Sequence, residues 1–135
     1  MNLPFGLIGI DHVVLLVSGM DRARSFYERV LGCTLSTELL ESGMIQMRAG
    51  ESLIDLVDIA TPEGAWARPA VAGGRNVDHV AIAITDCDPA ALKMHLEQHG
   101  VAVEEEGMRA GARGESWSIY FRDPDQNLIE LSLPA

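Results

Sequence analysis

"IDHVVLLVSGMDRARSFYERVLGCTL", residues 10–35, and "VDHVAIAITDCDPAALKMHLEQHGVAV", residues 77–103, follow one plan. Each opens on an apolar residue, an Asp-His pair and an apolar run suited to a strand. Each then passes through a short acidic turn into an amphipathic segment, a glycine and a further apolar run. Asp11-His12 and Asp78-His79 lie 67 residues apart, and Gly32 and Gly100 lie 68 apart. Self-similarity at a near-constant offset is the mark of a duplicated supersecondary unit.

Outward from these stretches, the first module reads as a strand at 8–17, a helix at 20–31 and strands at 33–40, 44–49 and 52–59. Asp21 stands near the helix start and Gly32 suits its end. Phe26, Val30 and Leu31 share one helical face. The second module reads as a strand at 76–84, a helix at 88–99 with Pro89 in its first turn, and strands at 101–106, 116–122 and 127–133. Residues 60–75, rich in Pro, Gly and Ala, read as the linker between module 8–59 and module 76–133. At 135 residues the chain is expected to be a single domain, 1–135, whose halves share a core. The class is α+β, with two paired βαβββ modules forming a curved mixed sheet around a central cleft. One helix covers one face of its sheet, so the other face meets solvent, a partner or a ligand.

The net charge of −10, from 20 acidic and 10 basic residues, argues against nucleic acid and anionic membranes as partners. Two cysteines, Cys33 and Cys87, form no paired motif, and the expected state is two reduced thiols in a cytoplasmic protein. The apolar start lacks a basic segment and is broken by Pro4, Gly6, Gly9 and Asp11, so it reads as neither signal peptide nor membrane span.

Four polar residues interrupt apolar strands: His12, Asp55, His79 and Glu130. An unpaired charge inside a strand costs several kcal/mol or more. Strand alternation puts His12 with Ile10, Val14 and Leu16, and Asp55 with Leu53 and Val57. It puts His79 with Val77, Ala81 and Ala83, and Glu130 with Leu128 and Ser132. All four therefore fall on the faces without a helix. Each module supplies one histidine from its first strand and one carboxylate from its last. Two imidazoles and two carboxylates brought together suit one divalent ion, Fe, Mn, Ni, Co or Zn.

The paired modules, the two "DH" strand openings, "FYERVLG" (26–32) and "SIYFRDPDQNLIELS" (118–132) resemble the vicinal oxygen chelate superfamily. It includes glyoxalases, bleomycin-resistance proteins and extradiol dioxygenases. The resemblance covers essentially the whole chain and is nearest to small glyoxalase-domain proteins. It implies that His12, His79 and Glu130 are metal ligands, with Asp55 as the fourth, and that the protein is a homodimer. Gln126 stands where the family's turn commonly has glycine. Leu16 and Ile59 stand where glutathione-dependent glyoxalases have Arg and Asn, which speaks against glutathione.

The expected function is a small divalent-metal-dependent, glyoxalase-like lyase or isomerase that binds a small-molecule substrate through vicinal oxygens. Glu130 is the candidate base, and Arg113, Tyr120 and Arg122 are the candidate substrate-binding residues. Two alternatives are an iron(II) extradiol-type ring-cleaving dioxygenase and a non-catalytic small-molecule (drug) binding protein. "GARGES" (111–116) reads as a loop suited to a lid. His95 and His99, four apart, read as an exposed helix face.

Overall fold

The computed structural model describes residues 8–67 and 77–135. Its elements are β1 (His12–Val17), α1 (Met20–Arg29), β2 (Thr34–Leu39), a 3-10 turn (Leu40–Ser42), β3 (Met44–Ala49), β4 (Ser52–Asp58), β5 (Val80–Ala83), α2 (Pro89–Gln98), β6 (Glu105–Gly111), β7 (Gly114–Arg122) and β8 (Leu128–Ser132). The strands form two four-stranded sheets, ordered β1-β4-β3-β2 and β5-β8-β7-β6. In each sheet the first strand pairs in parallel with the last, and the other neighbours run antiparallel. This is the α+β architecture of paired βαβββ units, and its topology sets each histidine strand beside its carboxylate strand. The expected linker, 60–75, begins as turns through residue 66. The rest of it, 68–75, lies outside the described residues, as does residue 76 of the expected strand.

Helix α1 forms because Ala23, Phe26, Tyr27 and Val30 recur at helical spacing and bury one stripe. It stops where Gly32 takes φ +73°, a left-handed conformation that a Cβ would disfavour. Its start is capped from afar. Gly19 supplies no side chain, and Asp58, at the end of β4, accepts hydrogen bonds from the Gly19 and Met20 amides at 3.2 and 3.0 Å. The carboxylate meets the positive end of the helix dipole and satisfies two of its unpaired donors. Asp21 sits in the first turn without that role. Helix α2 is capped locally, by Asp88 accepting from the Ala90 amide.

One apolar core serves both modules. Phe26, Tyr27, Met47 and Leu56 of the first pack in a cluster with Leu96, Ile119, Phe121 and Ile129 of the second. The Tyr27 hydroxyl donates to Asp123 Oδ2 at 2.8 Å, and the Phe26 and Phe121 rings lie 6.3 Å apart. His95 departs from the expected exposed face: it is half-buried, with Nε2 2.7 Å from the Val30 carbonyl at the end of α1. That carbonyl has lost its helical partner, so a ring N–H from α2 satisfies it.

Several strand bounds shift: β1 begins at His12 rather than at residue 8, and β7 begins at Gly114 rather than at 116. β6 runs from Glu105 to Gly111 rather than over 101–106, and "GARGES" is the tip of the β6–β7 hairpin, with Gly111 opposite Gly114. Gly107, Ala110 and Gly111 have poor strand propensity, and pairing with the long β7 overrides it. The two-residue turn at Ala112 and Arg113 is followed by Gly114 at φ +96°. β5 begins at Val80, so His79 stands just ahead of its strand.

Candidate metal centre

The strands divide their side chains as alternation requires. Leu15 and Val17 of β1, Ile54 and Leu56 of β4, and Ile129 and Leu131 of β8 enter the core. His12, Asp55 and Glu130 lie at the intervening positions. Parallel pairing sets Val14 opposite Asp55 and Ala81 opposite Glu130. In both modules the carboxylate therefore faces the residue two beyond the histidine. The same diagonal relation arises twice from the same fold.

His79 Nε2 lies 3.0 Å from Glu130 Oε1. His12 Nε2 lies 4.0 Å from Asp55 Oδ2. The longer gap follows from the shorter side chain of aspartate. Both carboxylates are buried, at 1% exposure for Asp55 and 6% for Glu130, whereas both imidazoles are partly open. Ser118 Oγ donates to Glu130 Oε2 at 2.7 Å. Gln46 Nε2 donates to Asp55 Oδ2 at 3.2 Å. Asp55 Oδ1 is buried with no hydrogen-bond partner. Such an atom costs on the order of 1–3 kcal/mol, more when charged, and a cation beside it would remove that cost.

The opposite ring nitrogens are also engaged. His12 Nδ1 lies 2.7 Å from Asp11 Oδ2, and His79 Nδ1 lies 2.8 Å from Asp78 Oδ2. The hydrogen bond to Asp11, reinforced by the charge of Asp55, raises the His12 pKa above its ordinary value. With an acceptor facing both nitrogens, each ring presents Nε2 to a carboxylate across a gap that only a proton or a cation can bridge favourably. An imidazole nitrogen and a carboxylate oxygen from each module make a donor set that fits a borderline divalent ion. The chain brings each couple together but not the two couples. Among the described residues no group of three or more His, Cys, Asp or Glu side chains is placed to hold one ion.

Tyr120 lies on β7 directly opposite Glu130. Its ring meets the His79 ring edge-on at 5.6 Å. Burial first, and the adjacent Glu130 second, raise the Tyr120 hydroxyl above its ordinary pKa, with Arg109 opposing. Arg109 Cζ stands 5.6 Å from the centre of the same ring. A Cβ on Gly107 would come within 2.6 Å of Arg109 Nη1, so the glycine leaves room for the guanidinium. Arg113, at the hairpin tip, lines a hollow of about 230 Å³ with His79, Glu130, Ser116 and Ser132. Arg122 does not join them. Its Nε donates to Glu104 and its Nη1 to the Gln126 carbonyl, and it lines a separate hollow beside Phe26. Alternation on β7 places Arg122 on the Tyr120 side, but it lies at the strand end, where Glu104 draws it away.

Ser118 and Gln46 were not singled out by the sequence, and Asp11 and Asp78 were read there only as marks of the repeat. Their one signal is position: Ser118 and Tyr120 alternate along "SIY", and each aspartate directly precedes its histidine. Trp66 is largely exposed, with Nε1 donating to the Ser42 carbonyl, and Trp117 is half-buried against the core. Cys33 is buried and unpaired, and burial pushes its thiol up to about 11, away from reactivity.

The fold and these paired couples define a class. Residues 9–131 match the Glyoxalase/Bleomycin resistance protein/Dioxygenase superfamily, and the chain belongs to that family. It is 36% identical over 124 residues to the glyoxalase domain-containing protein RDO1 of Mycosarcoma maydis, covering 91% of this chain and 66% of that protein, somewhat under two thirds of its length. It is 34% identical over 125 residues to the virulence protein STM3117 of Salmonella typhimurium, covering 91% of this chain and 82% of that one. Among solved structures, an integron cassette protein from the mobile metagenome of V. cholerae superposes with a TM-score of 0.74 at 30% identity, covering 98% of this chain and all of that one.

Proposed function

We propose that this protein is a small divalent-metal-dependent enzyme of the glyoxalase-like lyase or isomerase kind, acting on a small substrate bound through vicinal oxygens. The observation that carries the proposal is the repeated couple: His12 with Asp55 and His79 with Glu130, in one register, with a buried Asp55 oxygen lacking a partner. We further propose that the protein is a homodimer in which His12 and Asp55 of one chain meet His79 and Glu130 of a second. The two modules of one chain share a core through their helix-covered faces, which turns both polar faces away from it. The exposed Ile10, Val14 and Val77 flank the two histidines with apolar surface that a second copy would bury. A two-fold contact would complete two equivalent sites at once.

These four residues would hold one ion of Fe, Mn, Ni, Co or Zn, which when bound supplies Lewis-acid polarisation of substrate oxygens. Glu130 is the proton acceptor. Ser118 holds its Oε2, leaving Oε1 toward the site. Tyr120, kept protonated, donates to a substrate oxygen. Arg113 faces the same hollow and would hold an anionic substituent. Leu16 and Ile59 leave no polar grip for glutathione. The chemistry needs no nucleic acid or membrane partner, and we place it in the cytoplasm. Among the described residues no helix is long and apolar enough to cross a bilayer.

The test co-expresses His12→Ala and His79→Ala chains carrying two different tags free of histidine, and purifies the mixed dimer. Elemental analysis should find metal in the parent, little in either variant alone, and one full site recovered per mixed dimer. A mixed dimer no better than the single variants would place each site within one chain. A parent that binds no ion after reconstitution would sink the enzyme reading in favour of a small-molecule binding protein.

A further inference from the structure

Both histidines have the same neighbour in the same contact. Asp11 Oδ2 stands 2.7 Å from His12 Nδ1, and Asp78 Oδ2 stands 2.8 Å from His79 Nδ1. The aspartates are open to solvent, with side chains 88% and 83% exposed, so no packing presses them onto the rings. Exposed pairs of this kind add little stability. An incidental surface contact would have no reason to select the same ring nitrogen in two modules 67 residues apart. In both modules the geometry is the same: Nδ1 faces the exposed aspartate and Nε2 faces the buried carboxylate, Asp55 or Glu130.

We infer that Asp11 and Asp78 are positioning residues of the proposed metal centre, each fixing its histidine as the Nδ1–H tautomer so that Nε2 is the ligand atom. The inference rests on the metal-centre reading above. A carboxylate on the far nitrogen orients the ring and raises the basicity of the ligating one. The two "DH" openings then carry two distinct functions in adjacent residues, one holding the ion and one holding the holder. The arrangement also explains how histidines on partly open strand ends keep one orientation without core packing around them.

The experiment uses the full chain, its Asp11→Ala, Asp78→Ala, Asp11→Asn and Asp78→Asn variants, and Co(II) as the probe. Co(II) affinity is read from the visible absorption in competition with a chelator. Ring tautomers are read from long-range 15N–1H correlations on metal-free protein, and thermal melting checks that each variant folds. Each alanine variant should lose about 10–100-fold in Co(II) affinity and shift its histidine toward Nε2–H. The asparagine variants keep an acceptor oxygen and should recover the tautomer and most of the affinity. A parent that binds Co(II) but holds the Nε2–H tautomer overturns this inference alone, as do alanine variants with parental affinity. A parent with Nδ1–H histidines that binds no Co(II) overturns the metal-centre reading and leaves the aspartates as a surface pair.

Discussion

The hydroxyl of Tyr27, on the helix of the first module, donates to the carboxylate of Asp123, at the turn before the last strand of the second, at 2.8 Å. Asp123 is 2% exposed and also accepts from the Asp125 and Asn127 amides and from Asn127 Nδ2. One buried charge, satisfied four times over, joins the two modules. Tyr27→Phe should lower stability by about 1–2 kcal/mol at neutral pH, read from urea unfolding, because the other three donors continue to hold the carboxylate.

The same pair gives a pH dependence. Burial first, then the charge of Asp123, raise the folded-state pKa of Tyr27 far above its ordinary value of about 10. A raised pKa means that the folded state keeps a proton which the unfolded state releases. The stabilisation is complete below pH ~10 and declines as pH rises beyond it. Cys33, pushed up to about 11, acts in the same direction. The urea midpoint should fall between pH 9 and pH ~11, and Tyr27→Phe should make that fall shallower. Equal slopes in the two proteins would contradict the assignment.

Asp58 ties β4 to the start of α1, accepting from the Gly19, Met20 and Ala60 amides. Asp58→Ala would leave a helix start without any side-chain cap. A loss of about 2–4 kcal/mol is expected, with amide exchange fastest in the first turn of α1. Protection lost evenly over the chain would point to a different role.

Gln126 is the one non-glycine residue with positive φ among those described, at +69°. Left-handed backbone costs an L-residue roughly 1–2 kcal/mol. Gln126→Gly should therefore raise the thermal midpoint, with metal affinity unchanged, since the turn acts on Glu130 only through backbone already held by Asp123. A lower midpoint would mean that the Gln126 side chain makes a compensating contact.

Ser118 should matter to the ion and, through the buried Glu130 carboxylate, to the fold. Ser118→Ala removes one small hydroxyl from Glu130 Oε2 and leaves the strand pairing intact. Metal affinity should fall about tenfold, and the metal-free protein should melt lower, because Glu130 Oε2 is left buried without its donor. Parental affinity would show that Glu130 needs no such support.

The sequence alone determined a good deal, because duplication and alternation are properties of the chain. Two Asp-His openings at one offset declared two βαβββ units. A period of two placed His12, Asp55, His79 and Glu130 on the faces without a helix, whereas the parallel pairing of β1 with β4 and of β5 with β8, which makes each couple adjacent, came only with the tertiary structure. Tertiary structure decided whatever depended on partners distant in sequence. Asp58 rather than Asp21 caps α1, since a helix start accepts any carboxylate that the fold delivers. Arg122 turns to Glu104 and away from His79, because a long side chain at a strand end follows the nearest charge. "GARGES" became a hairpin tip because pairing with β7 outweighed the poor strand propensity of its glycines. The direction of the two polar faces was also beyond the sequence: it follows from Tyr27, Phe26 and Phe121 locking the modules back to back, a choice made by packing in three dimensions.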